Sequence, residues 1–261
     1  MLLLQERLAA MTKKTPSEIK SMEKAGKLAA ETLVYVQKYL KAGMTTDEVN
    51  DLAHDFILRK SAIPACLNYH GFPRSVCTSP NEVICHGVPN QTVLKDGDIL
   101  NVDVTCIIDG MHGDHSRTFF IGEVSPEAKK IVRIAEEAMW KGIEILKPKV
   151  RTGDIGSRIE DFVEGSGYFV VRELGGHGIG RNFHEEPFIP SFGKKGRGTA
   201  LLPWTAITVE PMVNETDAPI KEIDIPGSSV KVYETGDSRL SAQFEHTVLI
   251  TDRGFEVLTQ F

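Results

Sequence analysis

Two carboxylates stand in the stretch DILNVDVTCIIDGMHGDHSRTFFIG (98–122) where a fold does not place charge without a reason. The stretch predicts two strands joined at Asp109-Gly110, a strong hairpin signal. Its first strand is mostly Ile, Leu and Val, which predicts burial, yet Asp103 sits in its middle and Asp114 near the start of the return strand. An unpaired buried carboxylate is very costly. A two-residue turn sets Asp103 against Ser116 and Asp114 against Thr105. Both acids then project from one face as diagonal neighbours, roughly 7 Å apart at Cβ or less. Two readings follow: a solvated sheet edge, or a cation held between the acids.

The second half of the chain adds residues of the same kind. RELGGHGIGRNFHEEP (172–187) sets His177 and His184 on either side of a glycine-rich turn, where the backbone can approach a ligand or another chain closely. Glu210 closes the apolar run TAITVEP, and Glu245 lies inside SAQFEHTVLI. Acids in such strands need partners. Asp103, Asp114, Glu210 and Glu245 carry four negative charges and His177 offers a neutral nitrogen, so two divalent cations would neutralise the set. Carboxylates with one imidazole suit Mn, Fe(II), Co or Zn rather than a structural zinc cage, which would use cysteine.

The elements that must position these groups are marked by their ends. Thr15-Pro16-Ser17-Glu18 and Thr45-Thr46-Asp47-Glu48 are capping boxes, predicting helices to about Lys41 and Lys60. Ser125-Pro126-Glu127 opens a third helix to about Leu146, and a fourth is predicted from about Asp154 to Glu164. Strand and turn signals fill 63–122 and dominate again from Tyr168 to the end. This order repeats. LKAGMTTDEVNDLAHDFI (40–57) lies over LKPKVRTGDIGSRIEDFV (146–163), and KLAAETL (27–33) over RIAEEAM (133–139), both at an offset of 106. One residue further on, ILNVD (99–103) lies over AITVE (206–210), placing Asp103 on Glu210. A duplication predicts two similar halves, about 15–122 and 125–258, packed about a pseudo-twofold axis in one domain spanning 1–261, with the acids converging near that axis.

At 261 residues, 25% charged and 41% hydrophobic, the composition is that of a globular protein, and a net charge of −6 argues against a nucleic-acid partner. The MLLL start is too short for a signal peptide or a span, and no apolar run reaches the ~18 residues a membrane crossing needs. Cys66, Cys77, Cys85 and Cys106 form no C-x-x-C pair and read as reduced thiols of a cytoplasmic protein.

NEVICHGVP (81–89), NVDVT (101–105), HGDHSRTF (112–119), GGHGIG (175–180), FHEEP (183–187), VEPMVN (209–214) and LSAQFEHT (240–247) together resemble the bacterial type I methionine aminopeptidases. The resemblance runs from about residue 14 to 258. It implies the duplicated pita-bread fold, an α+β architecture with helices covering a curved, mainly antiparallel sheet. It implies two divalent metals, with Asp114 and Glu245 bridging them, Asp103 completing one site, and His177 with Glu210 completing the other. His86 and His184 would contact substrate near the scissile bond. Glu210 would shuttle a proton to the leaving amine, and His184 would help to stabilise the developing oxyanion. Cys66, Tyr69, Phe72, Cys77 and Phe183 correspond to the lining of a methionine pocket, where thiols and rings suit a thioether. The implied reaction is removal of the N-terminal methionine from newly made proteins, with a small second residue preferred, by a metal-activated water. The implied partners are N-terminal peptide segments, with the ribosome as a candidate contact; a monomer is expected.

Three features depart from the family pattern. Phe72 stands where Tyr is frequent, and His115 follows Asp114 where a small residue is usual. The segment 215–236 is long and lacks the tryptophan that the family places over the pocket; Trp204 lies in a different context. Two rival readings share the scaffold. Proline-directed peptidases carry the same five ligands but add a large N-terminal domain. A binding protein that had lost catalysis would be expected to have lost ligands, and all five are present.

Overall fold

The computed structural model describes residues 11–260. The MLLL start lies outside them. Four helices carry the outer layer: α1 (Pro16–Tyr39), α2 (Thr46–Arg59), α3 (Pro126–Ile143) and α4 (Thr152–Gly165). Both predicted capping boxes form. The Thr15 hydroxyl accepts the Glu18 N–H and the Glu18 carboxylate accepts the Thr15 N–H, and Thr45 and Glu48 repeat the exchange. Helix α4 starts two residues before its predicted start, because Asp154 accepts the Arg151 N–H and so caps from within the first turn. Helix α3 ends three residues earlier than predicted, and Ile145 and Leu146 pack on the core from the turn beyond it.

The strands are β1 (Ile63–Pro64), β2 (Cys77–Pro80), β3 (Val83–Cys85), β4 (Ile99–Ile108), β5 (Met111–Phe120), β6 (Phe169–Val170), β7 (Gly175–Gly178), β8 (Glu185–Pro190), β9 (Ala206–Val209), β10 (Met212–Asn214), β11 (Ile220–Asp224), β12 (Lys231–Thr235), β13 (Ser241–Gln243), β14 (Glu245–Ile250) and β15 (Phe255–Val257). The main sheet runs β1-β4-β5-β14-β9-β7-β8, with β2 beside β4 and β15 beside β14. Every pairing in it is antiparallel. The β4–β5 hairpin turns on Asp109 and Gly110, both at positive φ, and sets Asp103 opposite Ser116 and Thr105 opposite Asp114.

Two apolar cores lie under the two helix pairs. Leu33, Val36, Val49, Ala53 and Ile57 of α1 and α2 pack on Leu100, Val102 and Val104 of β4. Ile131, Ala135, Met139, Ile155 and Ile159 of α3 and α4 pack on Ile207, Val209 and Val248. Helix α1 lies so close to β5 that a Cβ on Gly113 would come within 2.2 Å of the Gly26 nitrogen. The sequence offset reappears as hydrogen bonding. Gly43 N–H to Leu94 O, Leu94 N–H to Met44 O, Thr46 N–H to Thr92 O and Asp47 N–H to Asn90 O recur as Lys149 to Leu201, Leu201 to Val150, Thr152 to Thr199 and Gly153 to Arg197. Each of these four bonds is displaced by 106 residues on one side and 107 on the other.

Candidate metal centre

Five adjacent strands each bring one candidate ligand. In sheet order these are Asp103 on β4, Asp114 on β5, Glu245 on β14, Glu210 just beyond β9, and His177 on β7. Asp114 and Glu245 occupy the two central strands and are almost wholly buried. Ligand atoms of Asp114, His177 and Glu245 all lie within 4.8 Å of one another. His177 Nε2 is 3.8 Å from Asp114 Oδ2 and 3.5 Å from Glu210 Oε1. His177 Nδ1 lies 2.9 Å from the Gly178 carbonyl, which can only accept, so the ring proton is on Nδ1 and the Nε2 lone pair faces the carboxylates.

Hydroxyls and one amide hold the acids in place. Thr105 donates to Asp114 Oδ1 at 2.7 Å. Thr208 donates to Glu210 Oε1 at 2.8 Å and accepts the His177 N–H at 3.0 Å, so one side chain sets two candidate ligands. Gln243 Nε2 donates to Glu210 Oε2 at 3.1 Å. Thr247 bonds both the Asp114 N–H and its carbonyl, closing the seam between β5 and β14. Thr105 and Thr208 stand two residues from Asp103 and Glu210, so strand alternation places them on the ligand face. Period-two reading could have found both, and Gln243 as well, since it stands two residues before Glu245 at the end of β13.

The charges do not balance within the protein. Asp103 Oδ1 and Glu245 Oε1 are buried and accept no hydrogen bond. Burial, then the neighbouring Asp114 charge, pushes Asp103 and Glu245 well above the carboxylate range. Burial and the Glu210 charge do the same to Asp114. Glu210 is raised to about 8 by burial, with Asp103 adding to the shift. Burial lowers His177 to about 4, so it is a neutral donor at physiological pH. Four crowded carboxyls, two of them with an orphaned oxygen, and one aimed imidazole lone pair fit divalent metal.

The two further histidines differ in setting. His184 Nδ1 is 2.7 Å from the Tyr69 hydroxyl, and its ring lies 4.2 Å from that of His177 and is stacked on Phe183. Burial holds its pKa well below the usual histidine value. His86, at φ 56°, donates Nδ1–H to the Lys231 carbonyl at 3.1 Å, which leaves Nε2 as an acceptor. Cys66, Phe72 and Cys77 pack with Ile225, against Phe183, Val230 and Val232. Tyr69 joins through Phe183, ring centres 4.8 Å apart. The divergent segment therefore supplies an apolar wall from the β11–β12 hairpin, whose tip is tied to His70 by Ser228 and Ser229. Trp204 is remote from this cluster in hydrogen bonding: its backbone joins Lys14 and Ile250. His115 points away from Asp114 by strand alternation, stacking on His246 at 4.5 Å and bonding the Glu245 carbonyl. The sheet's helix-covered side, with Trp140 against His246, accommodates the ring where a small residue is usual. A separate cavity of about 500 Å³ opens beside α2; Arg74 pairs with Asp47 in its lining, and it holds none of the candidate ligands.

Sheet order, helix cover and a carboxylate-rich cluster with one imidazole are the setting of a metal-dependent hydrolase. The chain belongs to metallopeptidase family M24, whose model matches residues 20–252. Within that family it falls among the methionine aminopeptidases. It is 47% identical to the methionine aminopeptidase of Rickettsia prowazekii (strain Madrid E) over 247 residues, 94% of this chain and 93% of that one. The crystal structure of methionine aminopeptidase from Rickettsia prowazekii superposes with a TM-score of 0.92 at 45% identity, covering 96% of this chain and all of that one. The prolidase of Pyrococcus horikoshii, at 22% identity and a TM-score of 0.73, shares the fold alone, and this chain spans only 63% of it.

Proposed function

We propose that Asp103, Asp114, His177, Glu210 and Glu245 hold two divalent metal ions, and that the chain uses them to remove methionine from the N-termini of newly made proteins. The observation that carries this reading is the convergence of one metal-binding side chain from each of five adjacent strands. Bound metal would supply a Lewis acid and a hydroxide from water at neutral pH. The chain's own groups do the rest. With the Tyr69 hydroxyl donating to Nδ1, His184 keeps its proton on Nε2 and can donate it to the oxygen on which charge develops. Glu210, held at both oxygens by Thr208 and Gln243, is placed to carry a proton to the leaving amine. His86, neutral through burial, accepts from substrate near the scissile bond. Cys66, Tyr69, Phe72, Cys77 and Phe183, closed by Ile225, receive the methionine side chain, and a small second residue is preferred.

The substrates on this reading are N-terminal peptide segments in the cytoplasm, met as they leave the ribosome, by a monomer. No helix among the described residues is long and apolar enough to cross a membrane. The recurrent bonds from the starts of α2 and α4 to the loops 90–94 and 197–201 support one catalytic domain of two halves, about 15–122 and 125–258. Turnover of a Met-Ala peptide and a Pro-containing peptide, with Mn, Fe(II), Co and Zn in parallel, tests the proposal. Metal-dependent release of methionine from Met-Ala is the expected result. Cleavage confined to the proline peptide, or none with any metal, would overturn it.

A further inference from the structure

The glycine-rich turn that carries Phe183 and His184 is anchored from behind by residues of the other half. Lys14 Nζ and Glu185 Oε2 form a 2.6 Å ion pair in which both side chains are only 3% exposed. Lys14 Nζ also donates to Thr12, and its backbone N–H donates to the Trp204 carbonyl, so the cation is fixed at both ends. Glu185 turns its other oxygen inward to accept the Asn182 N–H at 3.2 Å, which shapes 182–185. Gly180 leaves room for the lysine: a Cβ there would lie 2.2 Å from Lys14 Nζ and 2.9 Å from Glu185 Oε1. From β5, His112 directs both its N–H and its Nδ1–H at the Gly180 carbonyl and stacks on Phe183. An exposed second pair, Arg181 to Glu18, joins the same turn to the start of α1.

A buried ion pair seldom adds net stability over well-packed apolar groups of similar size. Its value here is geometric. We propose that Lys14 and Glu185 are positioning residues that fix the turn so that His184 meets Tyr69 and Phe183 meets the apolar cluster. The pair acts through those side chains and touches no substrate. This inference rests on the role given to His184 above.

The test uses the full chain and three variants: Lys14→Met, Lys14→Met with Glu185→Met, and Gly180→Ala, whose new methyl group displaces the lysine with both charges retained. Each is examined for melting temperature, metal affinity by calorimetry, kcat and KM on a Met-Ala peptide, and the side-chain 15N signals of His184 without metal. The single variant should bind metal as the parent does and lose kcat by about ten- to a hundredfold, as a displaced catalytic group would. Its His184 signal should leave the position set by the Tyr69 bond. The double variant should recover melting temperature and not kcat. If kcat returns together with melting temperature, or the His184 signal stays in place, the pair is merely structural and the inference falls. Should Lys14→Met not fold, Gly180→Ala is read by the same signals. His184→Ala serves as the control for the underlying reading: if it retains turnover, the role of His184 fails; if it loses turnover while the Lys14 variants do not, this inference alone fails.

Discussion

The two halves carry the same pair of acids on antiparallel strands but connect those strands differently. In the first half, Asp103 and Asp114 are joined by a two-residue turn within one regular ladder. In the second, Glu210 and Glu245 flank the pairing of β9 with β14, and the chain between them makes an excursion through β10 to β13. The inner strands of both pairs, β5 and β14, meet at the centre of the sheet. The acids thus follow a near-twofold arrangement, while the excursion is free to differ. It supplies Ile225, Val230 and Val232 to the apolar cluster and the carbonyl that orients His86. Repetition accounts for the four acids, and the unequal connection accounts for the wall of the apolar cluster.

If the pairs are equivalent, losing an acid from either half should have the same consequence. Asp103→Ala and Glu210→Ala occupy matched positions at the offset of 107. Each should lower turnover by roughly a thousandfold or more, because the water-activating ion is lost from one site. Calorimetry should show metal stoichiometry or affinity falling in both, and His177→Ala should weaken affinity too. A variant of one half that keeps full metal binding, beside one of the other half that does not, would break the equivalence.

His184 is not one of the five candidate ligands, so it should separate binding from chemistry. His184→Ala is expected to bind metal normally and to lose about a hundredfold in kcat, the usual cost of one donor to a developing oxyanion, about 3 kcal/mol. Metal titration and steady-state turnover on the same preparation decide the point. If His184→Ala loses metal and His177→Ala keeps it, the two assignments are reversed.

Local signals made the helices and the first hairpin legible. Capping boxes fixed the starts of α1 and α2, and Asp109-Gly110 fixed the parity of Asp103 and Asp114. The offset between the halves was visible because the bonds that recur between helix starts and later loops constrain the same positions twice. Long-range features left no such trace. The junction of β5 with β14 joins strands more than a hundred residues apart. Lys14 and Glu185 look like ordinary surface charges in sequence, since only the tertiary fold buries them together. The absence of the usual tryptophan in 215–236 was visible, yet not that Ile225 would pack with Cys66 and Phe72, because that depends on where the hairpin tip docks.

The smallest expected effect concerns the acids without metal. Glu210 titrates at about 8 in the folded chain and near 4.5 when unfolded, through burial and then the Asp103 charge. Between those values the folded chain holds a proton that the unfolded chain has released, so stability falls as pH rises. His177 works the other way: burial lowers it to about 4 from 6.5, so its contribution rises with pH until about 6.5 and is then constant. Above 6.5 the carboxyls act alone. The melting temperature of the metal-free protein should therefore decline between about pH 6.5 and 8, by a few degrees for a slope on the order of 1 kcal/mol per pH unit. Glu210→Gln, which keeps a neutral acceptor for Thr208, should flatten much of this decline, and saturating metal should abolish it. Metal binding at pH 7 should also release protons, read from calorimetry in buffers of different ionisation enthalpy. If Asp103→Asn flattens the decline as fully as Glu210→Gln does, the two halves share the protons equally. If neither does, the acids are not the groups that make the metal-free fold sensitive to pH.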